Sequence, residues 1–216
     1  MTMRKPAILA GLALLFTGGA RAQDEETRKH LLHELAGPFI VFRAKVSEEL
    51  KLSDAQKQQM RDALPEHLRE TMKVIQTLDD LKPGERERTM QSLRRRSGER
   101  FTAALKGILT PAQLGRLQQL QLQHEGPGAL GQPEIRKELG ITQEQLMQFA
   151  KVIQEMQKRI EPLIKEAQSG GNRDEILPRA IKIRKDHEAK IEALMTDSQR
   201  ERWRAMRGKP VDVLTD

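Results

Sequence analysis

Leu52-Ser53-Asp54-Ala55-Gln56, Leu109-Thr110-Pro111-Ala112-Gln113, Ile141-Thr142-Gln143-Glu144-Gln145 and Met195-Thr196-Asp197-Ser198-Gln199 share one pattern. An apolar residue is followed by Ser or Thr, and Gln comes three residues later. This is a helix-start signature. The hydroxyl accepts from the amide of the third helical residue, and the Gln side chain reaches back to the amide of the cap residue. Pro111 suits the first helical position, where no amide hydrogen is needed. Leu109 with Leu114, and Ile141 with Leu146, satisfy the apolar staple across such a start, whereas Lys57 and Arg200 stand at that place in the other two copies. Each cap contributes about 1 kcal/mol. Taken singly, the motifs are four helix starts, and capping accounts for them without any chemistry.

Their spacing carries more information. The Ser/Thr positions are 57, 32 and 54 residues apart, a long–short–long rhythm that reads as one two-motif unit used twice. Residues 37–56 and 126–145 align without gaps at an offset of 89, bringing Gly37-Pro38 onto Gly126-Pro127 and Glu49-Leu50 onto Glu138-Leu139. The second motifs align at an offset of 86, where Phe101 meets His187, Leu105 meets Ile191 and Leu117 meets Trp203. The sequence therefore predicts repeat one over 37–125 and repeat two over 126–208, with a flexible tail at 209–216.

Within each repeat the periodicity is helical. Met60, Leu64, Leu68, Ile75 and Leu78, with Met72 beside them, recur at spacings of three, four and seven. Leu146, Phe149, Ile153, Met156, Ile160 and Leu163 form the matching stripe in repeat two. A second stripe runs through Met90, Leu93, Ser97, Phe101, Ala104 and Ile108, with Ile176, Ala180, Ile183, His187, Ile191 and Leu194 as its counterpart. Lys82-Pro83-Gly84 and Ser169-Gly170-Gly171-Asn172 are turns between the long helices. No stretch alternates with period two over a strand's length. The expectation is an all-α protein of long helix hairpins, kinked at Pro65 and Pro162, with Pro178 near a helix start.

Composition agrees. Aromatic residues are 3 % of the chain, charged residues 32 %, and there is one Trp and no Tyr. Helices that each bury one stripe need no richer core. Arg4 and Lys5, the apolar run Ala7 to Phe16, and Ala20-Arg21-Ala22 predict a signal peptide over 1–22, too short in its apolar part to span a bilayer. A short helical segment at 23–36 would follow. Removing the leader takes the formal charge from +7 to +4, since Arg4, Lys5 and Arg21 go with it. There is no cysteine, and so neither a disulfide nor a lipid-anchored cysteine. The chain reads as exported to the periplasm, without stable membrane insertion or a nucleic-acid partner.

With these features together, the chain resembles the Spy/CpxP family of periplasmic proteins, whose signature is a pair of LTxxQ motifs. Leu109-Thr110-Pro111-Ala112-Gln113 matches in full; Ser53, Ile141 and Met195 are conservative departures. The resemblance covers most of residues 45–207. It implies a bent four-helix hairpin that dimerises into a cradle and holds unfolding clients without ATP on a basic and apolar concave surface. Two units in one chain imply a covalent pseudo-dimer and hence a monomer.

Chemistry is not legible. There is no Cys nucleophile, phosphate loop or nucleophile elbow, so no catalytic residue or cofactor is assigned. His30 and His33, three apart beside Glu34, are the only candidate metal ligands. Arg94, Arg95 and Arg96, with Arg200, Trp203, Arg204 and Arg207, are the candidate client-binding residues. Ser53, Gln56, Thr110, Gln113, Thr142, Gln145, Thr196 and Gln199 are the capping set. The expected function is capture of unfolded or partly folded envelope proteins; a metal-sensing or metal-buffering protein, or a purely structural interaction module, are the alternatives.

Overall fold

The computed structural model describes residues 37–77 and 81–211, and every element among them is helical. The expected leader, the 23–36 segment, His30, His33, Leu78 and residues 212–216 lie outside the described residues, as do the side chains of Leu68, Met72 and Ile75. The described residues form two compact units that part between Gln121 and Leu122.

The first unit runs from a 3-10 turn at Gly37–Phe42 into α1 (Ala44–Glu49), α2 (Asp54–Thr77), α3 (Pro83–Lys106) and α4 (Pro111–Glu125). Helix α2 packs on α3, and their contacts run in opposite directions. His67 meets Phe101 edge-on, Thr71 hydrogen-bonds Ser97 at 3.3 Å, and Gln56 reaches the carbonyl of Ile108. The seam buries Met60, Leu64, Leu93, Phe101 and Leu105. Phe39 stacks on Phe101 with ring centroids 4.5 Å apart, so the 3-10 turn closes over the hairpin. Such an aromatic pair adds about 0.5–1.5 kcal/mol beyond its buried area.

The second unit follows the same order: a 3-10 turn at Gly126–Gly131, α5 (Pro133–Leu139), α6 (Gln143–Gln168), α7 (Arg173–Ala193) and α8 (Asp197–Arg207). Glu166 pairs with Arg179 and Glu155 with Lys190, so α6 and α7 also run in opposite directions. Their core gathers Ala129, Leu130, Leu139, Phe149, Ile191, Met195 and Trp203. His187 lies where Phe101 lies in the first unit, 1 % exposed, with Nδ1 2.6 Å from the Ile183 carbonyl oxygen.

Three expectations are corrected. The division falls inside α4 rather than after Glu125. Leu122 packs on the second core, and Gln123 Nε2 donates to the carbonyls of Arg207 and Lys209 at 2.6 and 2.9 Å. Those bonds, with the Val211 amide donating to Gln123 Oε1, also hold the start of the expected flexible tail in place. Pro178 is the sixth residue of α7, beyond the first turn, so it deprives the Asp174 carbonyl of a ladder donor as Pro65 does for Arg61 and Pro162 for Lys158.

Three backbone positions show what the turns demand. Helix α5 ends at Gly140 with φ +65, and Ile141 closes back onto the Arg136 carbonyl. Helix α1 ends in the same way, with Leu52 bonded to the Ser47 carbonyl, but Lys51 holds the left-handed position at φ +50. A side chain there is strained. Gly126, at φ +57, leaves room that a Cβ would take 2.5 Å from Arg184 Nη2 and 2.8 Å from Glu188 Oε1. Replacing Lys51→Gly is expected to raise the stability of the first unit by about 0.5–1 kcal/mol. Gly126→Ala should destabilise the second unit by more than that, through backbone strain and displacement of the Arg184 and Glu188 side chains. Urea unfolding of each variant measures both.

Candidate binding surface

All four helix starts carry their caps. The amides of Gln56, Gln113, Gln145 and Gln199 donate to the hydroxyls of Ser53, Thr110, Thr142 and Thr196 at 3.1–3.2 Å. In return, each Gln Oε1 accepts from the amide of its own Ser or Thr at 3.0–3.1 Å. Read along the sequence, capping alone accounts for these glutamines. The structure corrects that: each Nε2 also donates twice, away from its own cap, and the four motifs work as two pairs.

In the first unit, Gln56 Nε2 donates to Gln113 Oε1 at 2.8 Å and Gln113 Nε2 donates to Gln56 Oε1 at 3.2 Å. The second hydrogen of each amide goes to the backbone entering the other motif: Gln56 to the Ile108 carbonyl and Gln113 to the Leu50 carbonyl, both at 3.0 Å. The second unit repeats the arrangement. Gln145 and Gln199 exchange bonds at 2.8 and 3.1 Å, and donate to the carbonyls of Leu194 and Gly140. Each side-chain amide thereby uses both hydrogens and accepts twice. The sequence held a signal for this. A capping box admits Glu as readily as Gln, and a carboxylate suits a helix N-terminus better, yet all four positions are Gln. Only an amide can donate and accept at once.

The basic candidates divide. Trp203 is 2 % exposed, within the second core, and cannot face a client. Arg200 is turned inward and donates to the carbonyls of Glu192 and Met195, filling acceptors left at the end of α7; it also pairs with Asp197. Arg207 lies 5.5 Å over the Trp203 ring and faces Glu188 and Glu192. Arg204 is exposed and pairs with Glu192. These residues build the α7–α8 junction. Arg94, Arg95 and Arg96 stand exposed on α3, in the other unit.

Apolar surface is open on α6. Ile160 and Ile164, with Gln154, Gln157, Lys158 and Glu161, line a shallow groove open to solvent along this one helix. Ile164 is 51 % exposed, with Met147 on the same helix and Leu177 on α7 also uncovered. A small cleft of about 10 Å³ beside Trp203 has room for no more than one water. Among the described residues no group of three His, Cys, Asp or Glu side chains could hold a metal ion. No helix among them is long and apolar enough to cross a membrane. No protein-family model, curated protein or solved structure matches this chain.

Three groups have shifted protonation; the hydrogen bond from Lys165, then its charge, holds the exposed Glu161 carboxyl below its ordinary 4.5. Burial pushes the Glu125 carboxyl above its ordinary 4.5, and the bond from Gln132 Nε2 at 2.5 Å offsets part of that. Burial, then the Arg100 charge, lowers His67 from 6.5, with Glu66 opposing. A raised acid stabilises the protonated fold, so the contribution of Glu125 is present below about pH 4.5 and is lost as the pH rises through its folded value. A lowered base does the opposite: the His67 contribution is present above about 6.5 and is lost as the pH falls. Glu125→Gln should therefore stabilise the second unit at neutral pH and flatten its loss of stability above pH 4.5, as read by urea unfolding across pH.

The glutamine pairs give the sharper test. Gln113→Glu preserves a capping acceptor, so a cap-only role predicts no loss. Loss of two donors, with a carboxylate set against Gln56 Oε1, should instead cost about 2 kcal/mol in urea unfolding at pH 7. Thr110→Ala should cost about 1 kcal/mol.

Proposed function

We propose that this chain is an exported, ATP-independent chaperone-like protein that holds non-native envelope proteins on an apolar and polar helical surface. The open groove on α6 carries the reading: Ile164 stands exposed and Ile160 half-buried beside it, among amides and one charge of each sign. Scattered surface apolar residues are ordinary, but a contiguous apolar lining rimmed by polar groups suits weak, sequence-tolerant contact with exposed chain. Met147 adds an adaptable side chain to the same helix. Capture of this kind needs no reacting group and no bound nucleotide.

The resemblance to the Spy/CpxP family supports the same reading. So does the common element order of the two units, the same left-handed positions at Gly37 and Gly126 and at Lys51 and Gly140, and the same paired glutamines. On this reading the units are duplicated hairpins, each standing for one subunit of a dimeric relative, and the chain works as a monomer. Acidic clients would meet the exposed run Arg94, Arg95 and Arg96; the α8 basic run is committed to its own junction.

The purified chain without nucleotide should suppress aggregation of a chemically denatured reference protein at near-stoichiometric ratio, followed by light scattering. The double variant Ile160→Asp/Ile164→Asp should need about tenfold more protein for the same suppression while keeping its helicity. No suppression by the wild type at tenfold excess would remove the chaperone reading. Sedimentation of the intact chain should show a monomer.

A further inference from the structure

The α6 groove is not the only unpartnered helix face. On α3 the side chains of Leu93, Ser97, Phe101 and Leu105 are buried in the hairpin seam. Arg95 is two positions from both Leu93 and Ser97, which at 3.6 residues per turn sets it on the opposite side of the helix. Arg88 is seven residues before it and Lys106 eleven after, close to whole numbers of turns, so the three share one outward face. All three are exposed, and no ion pair or hydrogen bond joins them to a described residue. Arg96, exposed and likewise joined to no described residue, flanks the row; Glu99 and, at its N-terminal end, Glu85 are the acids that share the face. From Arg88 to Lys106 the helix rises about 27 Å.

This row is not a by-product of the repeated framework. At the 86-residue offset the counterparts of Arg88, Arg95 and Lys106 are Asp174, Ile181 and Glu192. The second unit thus carries acids or an aliphatic residue where the first carries cations.

We propose that the outer face of α3 docks on anionic lipid headgroups. The face is the convex back of a helix, with Gln91 and Thr102 between the cations and no large apolar side chain exposed along the row. Recognition of a protein segment uses a groove or a sheet edge, with pockets for side chains. A flat, negatively charged surface needs only unshielded cations at matching height, and each adds about 1 kcal/mol near such a surface, or about fivefold in partitioning. Without apolar insertion, the contact is peripheral and reversible. It does not depend on the chaperone reading, since the α6 groove plays no part in it, although Arg95 and Arg96 also belong to the run that acidic clients would meet.

The full-length mature chain is tested by co-sedimentation with vesicles of phosphatidylglycerol and phosphatidylcholine in equal parts, against phosphatidylcholine alone, at low salt and at about 0.5 M NaCl, where charge attraction is screened within a few ångströms. Binding should require phosphatidylglycerol and disappear at high salt. Arg88→Gln/Arg95→Gln/Lys106→Gln should lower partitioning about a hundredfold with unchanged helical content. Lys137→Gln/Lys151→Gln/Lys182→Gln, which removes the same net charge from the other unit, should bind as the wild type does. Equal binding to both vesicle types, equal loss in the two triple variants, or row-dependent binding to soluble polyglutamate or DNA with none to vesicles would each overturn the proposal. The Ile160→Asp/Ile164→Asp variant should bind vesicles normally, so a failure of the groove and a failure of the row are told apart.

Discussion

Reciprocal pairing of two side-chain amides anchors each unit. Gln56 with Gln113, and Gln145 with Gln199, join helix starts more than fifty residues apart in sequence. Neutral hydrogen bonds contribute only about 1 kcal/mol each on balance, but a partly buried donor or acceptor left unmade costs more. The pair is therefore better understood as a constraint than as a large source of stability. With both amides present, every polar atom is satisfied; with either replaced, several are stranded together. The pairing also fixes register, because each Gln must reach both its own cap and the backbone entering the other motif.

From that fixed end, the hairpins extend as simple two-helix seams. Their far ends carry little aromatic packing, and the stripe that would be covered in a thicker core is left partly open on α6. Ile160 lies in the predicted seam of that helix, yet it lines the groove with Ile164. A hairpin has one neighbour per helix, so an apolar stripe wider than the contact seam cannot be fully buried. The same thinness that makes the fold possible at 3 % aromatic content leaves the surface on which the proposed capture rests.

The two units solve one packing problem with different residues. Phe39, Phe42 and Phe101 stack in the first; Gly128, Gly131 and His187 occupy the aligned positions in the second. There the closure depends more on Leu130, Trp203 and the ion pairs around Arg184 and Arg207. This is why the basic run at Arg200, Trp203, Arg204 and Arg207 misleads when read as a surface. A row of arginines near a helix C-terminus can serve open carbonyls and half-buried acids as well as solvent, and one-dimensional spacing does not tell these apart.

The helical class, the four helix starts, the seams through Phe101 and His187, and the turn at 169–172 are legible along the chain, because each rests on local periodicity or on contacts within four residues, whereas Pro83 and Gly84, expected in a turn, open α3. The preference for Gln over Glu is legible too, but not its reason. Folding in three dimensions was needed to show that the glutamines pair, that Trp203 and Arg200 face inward, that Gln123 ties residues 209–211 to the second unit, and that α6 stays open along one side. Those outcomes depend on which donor meets which acceptor across tens of residues. Capping is written along the chain; pairing is settled only where two helix starts meet.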